Sequence, residues 1–175
     1  MAVSVIRKKT SLQDSVLDLL NKQMVKEATS SSLYLSMSAW CYEQGLENCG
    51  KFFKMQSGEE REHMMRIFDY ITDMGALAIA PEVPQVESSF NNLRYIFELA
   101  LESEISITES FNYMTEECHK VRDFQTVKFF DWFLNEQMEE EQQARRCLEL
   151  YDIIGTGDGG LYKIDKEVLK LKEKE

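Results

Sequence analysis

The sequence predicts an all-α fold: an up-down bundle of four long helices with one long crossover and a short fifth helix at the C-terminus. Three observations carry this prediction. Four segments of about 30 residues repeat their apolar positions at alternating spacings of 3 and 4, the pattern of a helix facing a bundle core. The chain has only two prolines, Pro81 and Pro84, and both fall in one link between such segments. That link is long, whereas the other two joins between long segments are short.

Residues 1–10 read as an N-terminal extension. Arg7, Lys8 and Lys9 are followed by no apolar run, so neither a secretory signal nor a membrane span is expected, and a cytoplasmic place is. The bundle is expected over residues 11–154. Its first helix runs from Ser11 to Glu43, with Ser11 as a cap and Asp14 three residues on. Gly45 turns the chain into a second helix from Leu46 to Met74, and so short a turn makes the pair antiparallel. The 14-residue link from Gly75 to Ser88 follows. Extended, it reaches about 46 Å, and a 30-residue helix is about 45 Å long. It can therefore cross the whole bundle and make the second and third helices parallel. The third helix, from Ser89 to Cys118, joins the fourth, Arg122 to Ile154, by another short turn. A glycine-rich hinge occupies residues 155–160 and a short amphipathic helix residues 161–173, with Leu161, Ile164, Val168 and Leu171 as its stripe. That stripe is expected to face other subunits, and the tail from Lys170 to Glu175 to be frayed.

Composition narrows the function. In 175 residues, 43% are hydrophobic and 29% charged, which suits a soluble globular domain with a real core. A net charge of −11 argues against nucleic-acid binding, which runs on Lys and Arg. Cys41, Cys49, Cys118 and Cys147 form no CxxC pair and read as free packing thiols.

Each inward stripe is interrupted near its middle by a glutamate. The first reads Leu20, Met24, Glu27, Ser31, Tyr34, Ser38, Cys41, and the second Phe53, Gln56, Glu60, His63, Ile67, Tyr70, Met74. The third carries Glu104 between Ala100 and Ile107, and the fourth Gln137 and Glu140 between Phe133 and Ala144. Residues near mid-length share one level whichever way a helix runs. Four carboxylates and one imidazole therefore converge at one height. Burying one ionised carboxylate costs several kcal/mol unless it is paired. Four together repel one another, and no Lys or Arg lies on the stripes to neutralise them. Two divalent cations would. Oxygen ligands with one imidazole suit iron, manganese or zinc. Glu59, Glu136 and Glu139 sit one residue off the stripe, either as a solvated acidic face or as an outer cation site. His119 falls away from that height and reads as a surface or capping residue.

The runs YLSMSAWC (34–41), EEREH (59–63), FDYITD (68–73), EQMEEE (136–141) and GLYKIDKE (160–167) resemble those of the bacterial non-haem ferritins, and the resemblance covers nearly the whole chain after residue 11. It implies a ferritin-like bundle and a homo-oligomeric cage of about 24 subunits. Its subunits would oxidise Fe(II) with O2 or H2O2 and store the ferric mineral. By this resemblance Glu27, Glu60 and His63 hold the first iron. Glu60 bridges to a second, which Glu104 and Glu140 also hold, with Gln137 close by. Glu59, Glu136, Glu139 and Glu140 match a third iron site. Tyr34 matches the tyrosine beside the centre, either an electron donor or core filling, and Trp132 a nearby tryptophan. Two departures stand out: the N-terminus is about ten residues longer, and residues 28–32 (ATSSS) are small and polar where more bulk is expected. Gln143 stands where related families place a second histidine, and Arg61 where bacterioferritins place their haem methionine, so no haem is expected. Two other readings remain at this point: a di-iron oxidoreductase acting on an organic substrate, and a non-catalytic helical interaction protein.

Overall fold

A computed structural model describes residues 10–172. The extension expected at residues 1–10 lies outside the described residues but for Thr10, and so do residues 173–175 of the tail. Five helices follow in order: α1 (Asp14–Glu43), α2 (Glu47–Asp73), α3 (Leu93–Val121), α4 (Phe124–Ile154) and α5 (Gly160–Leu169).

The turns follow from local chemistry. Gly45 takes a left-handed φ of 75° between α1 and α2, and Leu46 N–H donates back to the Cys41 carbonyl at 2.9 Å. Arg122 closes α3 with φ 62°, and Asp123 N–H reaches the Cys118 carbonyl at 2.9 Å. Asp123 then caps α4, its side chain accepting from the N–H and hydroxyl of Thr126.

Two helix starts differ from expectation. α1 begins at Asp14, and Gln13, with extended backbone, precedes it without a side-chain cap. Ser11 does not cap; Thr10 Oγ1 accepts from Leu12 N–H just upstream. α3 begins four residues later than Ser89, because the Asn92 side chain accepts from Tyr95 N–H at 2.9 Å and caps it there. The link between α2 and α3 is correspondingly longer, residues 74–92.

That link crosses the bundle along α1. Its Ile79 N–H donates to Asn21 Oδ1 near the start of α1, at 2.8 Å. Its Glu87 carbonyl accepts from Ser36 Oγ at 2.6 Å, and Phe90 meets the edge of Trp40. From Asn21 to Trp40 is about 28 Å of helix at 1.5 Å per residue. The second and third helices therefore run parallel, and α1–α2 and α3–α4 form two antiparallel hairpins.

The core has two apolar halves. One holds Tyr34, Met37, Phe52, Phe53, Phe97 and Cys147, the other Leu20, Met24, Ile67, Phe111, Phe130 and Phe133. Among the stripe positions, Tyr70, Met74, Tyr151 and Ser31 are only partly buried. Tyr70 stacks on Phe129, ring centroids 3.9 Å apart, and its hydroxyl meets Thr126 Oγ1 at 2.8 Å. All four cysteines are free and buried. Burial pushes the thiols of Cys41, Cys118 and Cys147 up to about 12, so they stay protonated packing groups.

α5 corrects a sequence expectation. Ile164 and Val168 are fully buried against this chain's own bundle, where α5 packs on α2 and α4, while Leu161 alone of the stripe is exposed. Gly155 and Gly160 make the fold-back possible, since a Cβ on Gly160 would collide with the Gly155 carbonyl oxygen. Asp165 then caps α2 from a distance. Its carboxylate accepts from the N–H of Asn48 at 3.0 Å, the N–H of Cys49 at 2.8 Å and the Asn48 side-chain amide at 2.8 Å. Asp165→Ala should lower the stability of the fold by about 1–2 kcal/mol. Denaturant unfolding of the variant beside the parent checks this; an unchanged midpoint would mean the cap contributes nothing.

Candidate metal centre

Between the two apolar halves lies one polar layer. Helical repeat carries Glu27 inward from α1, Glu60 and His63 from successive turns of α2, Glu104 from α3, and Gln137 and Glu140 from α4. Each is at most 5% exposed. The layer is as dry as the phenylalanines above and below it.

The first hairpin supplies the tightest group. One ligand atom each of Glu27, Glu60 and His63 lies within 4.8 Å of the others. His63 Nδ1 stands 3.9 Å from Glu27 Oε2 and 3.9 Å from Glu60 Oε2. These are not ion pairs at neutral pH. Burial, helped by the positive Lys172 and Arg66, pushes His63 down to about 4, so its imidazole is neutral and able to ligate. Glu27 Oε2, both Glu60 oxygens and His63 Nδ1 have no hydrogen-bond partner among the described residues. Leaving one such buried group unsatisfied costs about 1–3 kcal/mol. A cation among them satisfies all at once.

Glu104 and Glu140, expected at a second position, lie outside that tight group. Amides and a phenol hold them instead. Glu104 accepts from the Tyr34 hydroxyl and from Gln137 Nε2, the latter at 2.9 Å. Glu140 Oε2 accepts from Gln56 Nε2 at 2.5 Å. The side-chain oxygens of Gln56 and Gln137 then have no partner among the described residues. Tyr34 is thus both core filling, 6.0 Å from Phe53, and a direct neighbour of the site. Burial and the surrounding carboxylates hold its phenol well above the ordinary range.

Three contacts escape the stripe pattern. Gln23 Nε2 donates to Glu27 Oε1 at 2.7 Å, and Ser110 Oγ donates to Gln23 Oε1 at 2.6 Å, which fixes the Glu27 carboxylate from α3. A Gln one turn before an inward Glu was the available signal. Trp132 meets His63 edge-on, ring centroids 5.5 Å apart, under the Arg66 guanidinium at 3.9 Å. Lys172, from beyond α5, pairs with Glu59 and lies 4.0 Å from Glu140 Oε1. The inward cation that the stripes lack therefore comes from the tail, and the expected fraying does not extend to this residue. No periodic signal could have announced it.

The layer opens on one side. A cleft of about 420 Å³ is lined by Glu59, His63, Trp132, Glu136, Glu139 and Glu140 among others. Glu59 and Glu136 are half-buried and Glu139 is exposed, so these outer carboxylates grade from solvent to the dry layer.

Burial pushes Glu104 and Glu140 up to about 7, and Glu60 well above its ordinary value of 4.5. Glu27 is raised as well, again chiefly by burial. A carboxylate raised on folding binds protons more readily in the native than in the unfolded state. The metal-free fold therefore loses stability as pH rises from about 4.5 through about 7. His63 acts oppositely, costing stability as pH falls from 6.5 to about 4. A divalent cation replaces the protons, so its stabilising effect grows with pH. The rise in Tm on adding Zn(II) should be larger at about pH 8 than at about pH 6. Thermal unfolding with and without Zn(II) at both values checks this, and an equal or smaller rise at the higher pH contradicts it.

Comparison with known proteins meets this geometry. A ferritin-like domain model matches residues 17–154. The chain is 36% identical over 157 residues to a bacterial non-haem ferritin of Campylobacter jejuni, covering 90% of this chain and 94% of that protein. It is 36% identical over 163 residues to one of Escherichia coli, covering 91% and 97%. Its fold superposes on an open-pore ferritin from the hyperthermophilic archaeon Archaeoglobus fulgidus with a TM-score of 0.88 at 30% identity, over 91% of this chain and 97% of that one. With the match running through all four long helices, the chain belongs to the ferritin family.

Proposed function

We propose that this protein is an iron store whose subunits oxidise Fe(II) at the mid-height layer and release Fe(III) into the hollow of a homo-oligomeric cage of about 24 chains. The observation that carries the reading is the buried group of Glu27, Glu60 and His63, with its unpartnered ligand atoms, beside Glu104 and Glu140. Family membership and the relatives named bacterial non-haem ferritin support iron as the metal.

In this reading Glu27, Glu60 and His63 bind the first Fe(II), and Glu60, Glu104 and Glu140 the second, with Gln137 turning its free oxygen inward. Each Fe(II) gives up one electron. O2 takes both with two protons and becomes H2O2; if H2O2 is the oxidant, it becomes two waters. Supplying two electrons together avoids a one-electron oxygen species. Gln23, Gln56 and Gln137 keep the carboxylates aimed, and Trp132 holds the imidazole plane. Glu59, Glu136, Glu139 and Glu140 offer a third position on the side that opens to solvent, which suits release of product. The Tyr34 hydroxyl, donating to Glu104, helps keep that carboxylate aimed.

An oxidoreductase on an organic substrate would need an apolar chamber beside the metals. The apolar cavity there, between Tyr34, Phe53 and Phe97, is about 10 Å³, no more than one water. The roomy cleft is lined chiefly by glutamates, a lining that favours cations over an apolar substrate. No helix is long and apolar enough to cross a membrane among the described residues.

Three measurements test the proposal. Adding Fe(II) in air should build ferric mineral well beyond two irons per chain, and arrest at two would defeat storage. Chains of 20.4 kDa should elute near about 490 kDa if 24 assemble. Glu60→Ala or His63→Ala should slow the initial oxidation at least about tenfold with assembly unchanged; unaltered initial rates in both would sink the site assignment.

A further inference from the structure

Two carboxylates that line the acidic cleft, Glu59 and Glu140, share one buried ammonium. Lys172 lies three residues past the end of α5, yet its side chain is only 2% exposed. Leu169 and Leu171, which precede it, pack against the apolar half that contains Phe52 and Cys147, which folds the tail back onto the bundle. The Lys172 Nζ ion-pairs with Glu59 Oε2, lies 4.0 Å from Glu140 Oε1, and stands 5.9 Å from the centre of the Phe52 ring. A lysine is almost never this buried without a partner, and here it has two carboxylates and an aromatic face. It has three donors and no acceptor, so it offers nothing a metal could use. It can only compete with one. Glu140 belongs to the inner layer and Glu59 to the outer carboxylates. The ammonium therefore stands against one carboxylate of each group.

We propose that Lys172 is a tethered counter-ion: it occupies the Glu59–Glu140 position in the metal-free subunit, and a third divalent cation binds there only by displacing it. This rests on the inner layer binding metal, as argued above. Two consequences follow from the geometry. The tail lowers the affinity of the outer position, so an ion arriving there does not stay. It also refills the position once the ion leaves, restoring the charge balance around Glu140 without a second cation from solution. The residue is thus a specificity and positioning group, acting on the metal only through Glu59 and Glu140.

The test uses the assembled full-length protein and Zn(II), which binds without oxidation. Calorimetric titration of the parent should show two tight equivalents per chain and a weaker third. Lys172→Gln should tighten the third by about tenfold, because Glu59 loses its competing cation. Lys170→Gln should leave all three unchanged, since among the described residues Lys170 pairs with Glu167 alone, away from Glu59 and Glu140. A third equivalent unchanged or weaker in Lys172→Gln overturns the proposal. Absence of the tight pair in every form overturns the metal reading itself, and the tethered ion with it. A second measurement needs no variant. Acetic anhydride labelling of the parent, read by mass spectrometry, should modify Lys172 several-fold faster once Zn(II) saturates the protein, with Lys170 labelled equally in both states. Equal Lys172 labelling with and without Zn(II) refutes displacement.

Discussion

Everything in this molecule is arranged around one electrostatic constraint: four glutamates, one per long helix, share a dry layer in which each raises the cost of ionising the next. The apolar halves above and below supply most of the burial energy, at about 1.5–3 kcal/mol for each large side chain removed from water. They also deny the carboxylates the water that would disperse their charge. The same packing that stabilises the bundle thus makes the layer between its halves hungry for positive charge. Protons answer below neutral pH, Lys172 answers in part at the edge, and a divalent cation would answer fully.

Such a layer works only if its oxygens stay aimed while unsatisfied. Three glutamines do this. Each gives an amide N–H to a different carboxylate: Gln23 to Glu27, Gln56 to Glu140, Gln137 to Glu104. Neutral amides fix direction without neutralising charge, which an Arg or Lys in the same place would do. The aromatic residues set the other boundary. Trp132 and Phe133 pack edge-on against His63, and the cavity beside Tyr34, Phe53 and Phe97 is too small for more than one water, so the roomy opening is the acidic cleft.

The fold and the inner residues were legible in the sequence because both obey the helical repeat. A stripe that places Glu27, Glu60, Glu104 and Glu140 at mid-length places them at one height whatever the packing details. Helix ends were less legible, since caps depend on single side chains: Asn92, not Ser89, starts α3, and Gln13 precedes α1 without a cap. Contacts between distant segments were not legible at all. Asp165 caps a helix 116 or 117 residues away, and Lys172 reaches Glu59 across 113. Neither belongs to a period, so only the fold-back of α5 reveals them. The same fold-back removed the expectation that its stripe faces other subunits.

The crossover divides the molecule into two helical hairpins joined by an exposed strap that touches α1 at a few points, among them Asn21, Ser36 and Trp40. Each hairpin contributes its own share of the inner layer, Glu27, Glu60 and His63 from one and Glu104, Gln137 and Glu140 from the other. An ion held by Glu60 together with Glu104 would be a rivet through both halves. In mechanical terms, loading would stiffen the bundle across its waist, where the core is thinnest in apolar contact, and leave the two ends as they were. The subunit would then be most compliant when empty and most rigid when filled, a property that belongs to the topology as much as to the ligands.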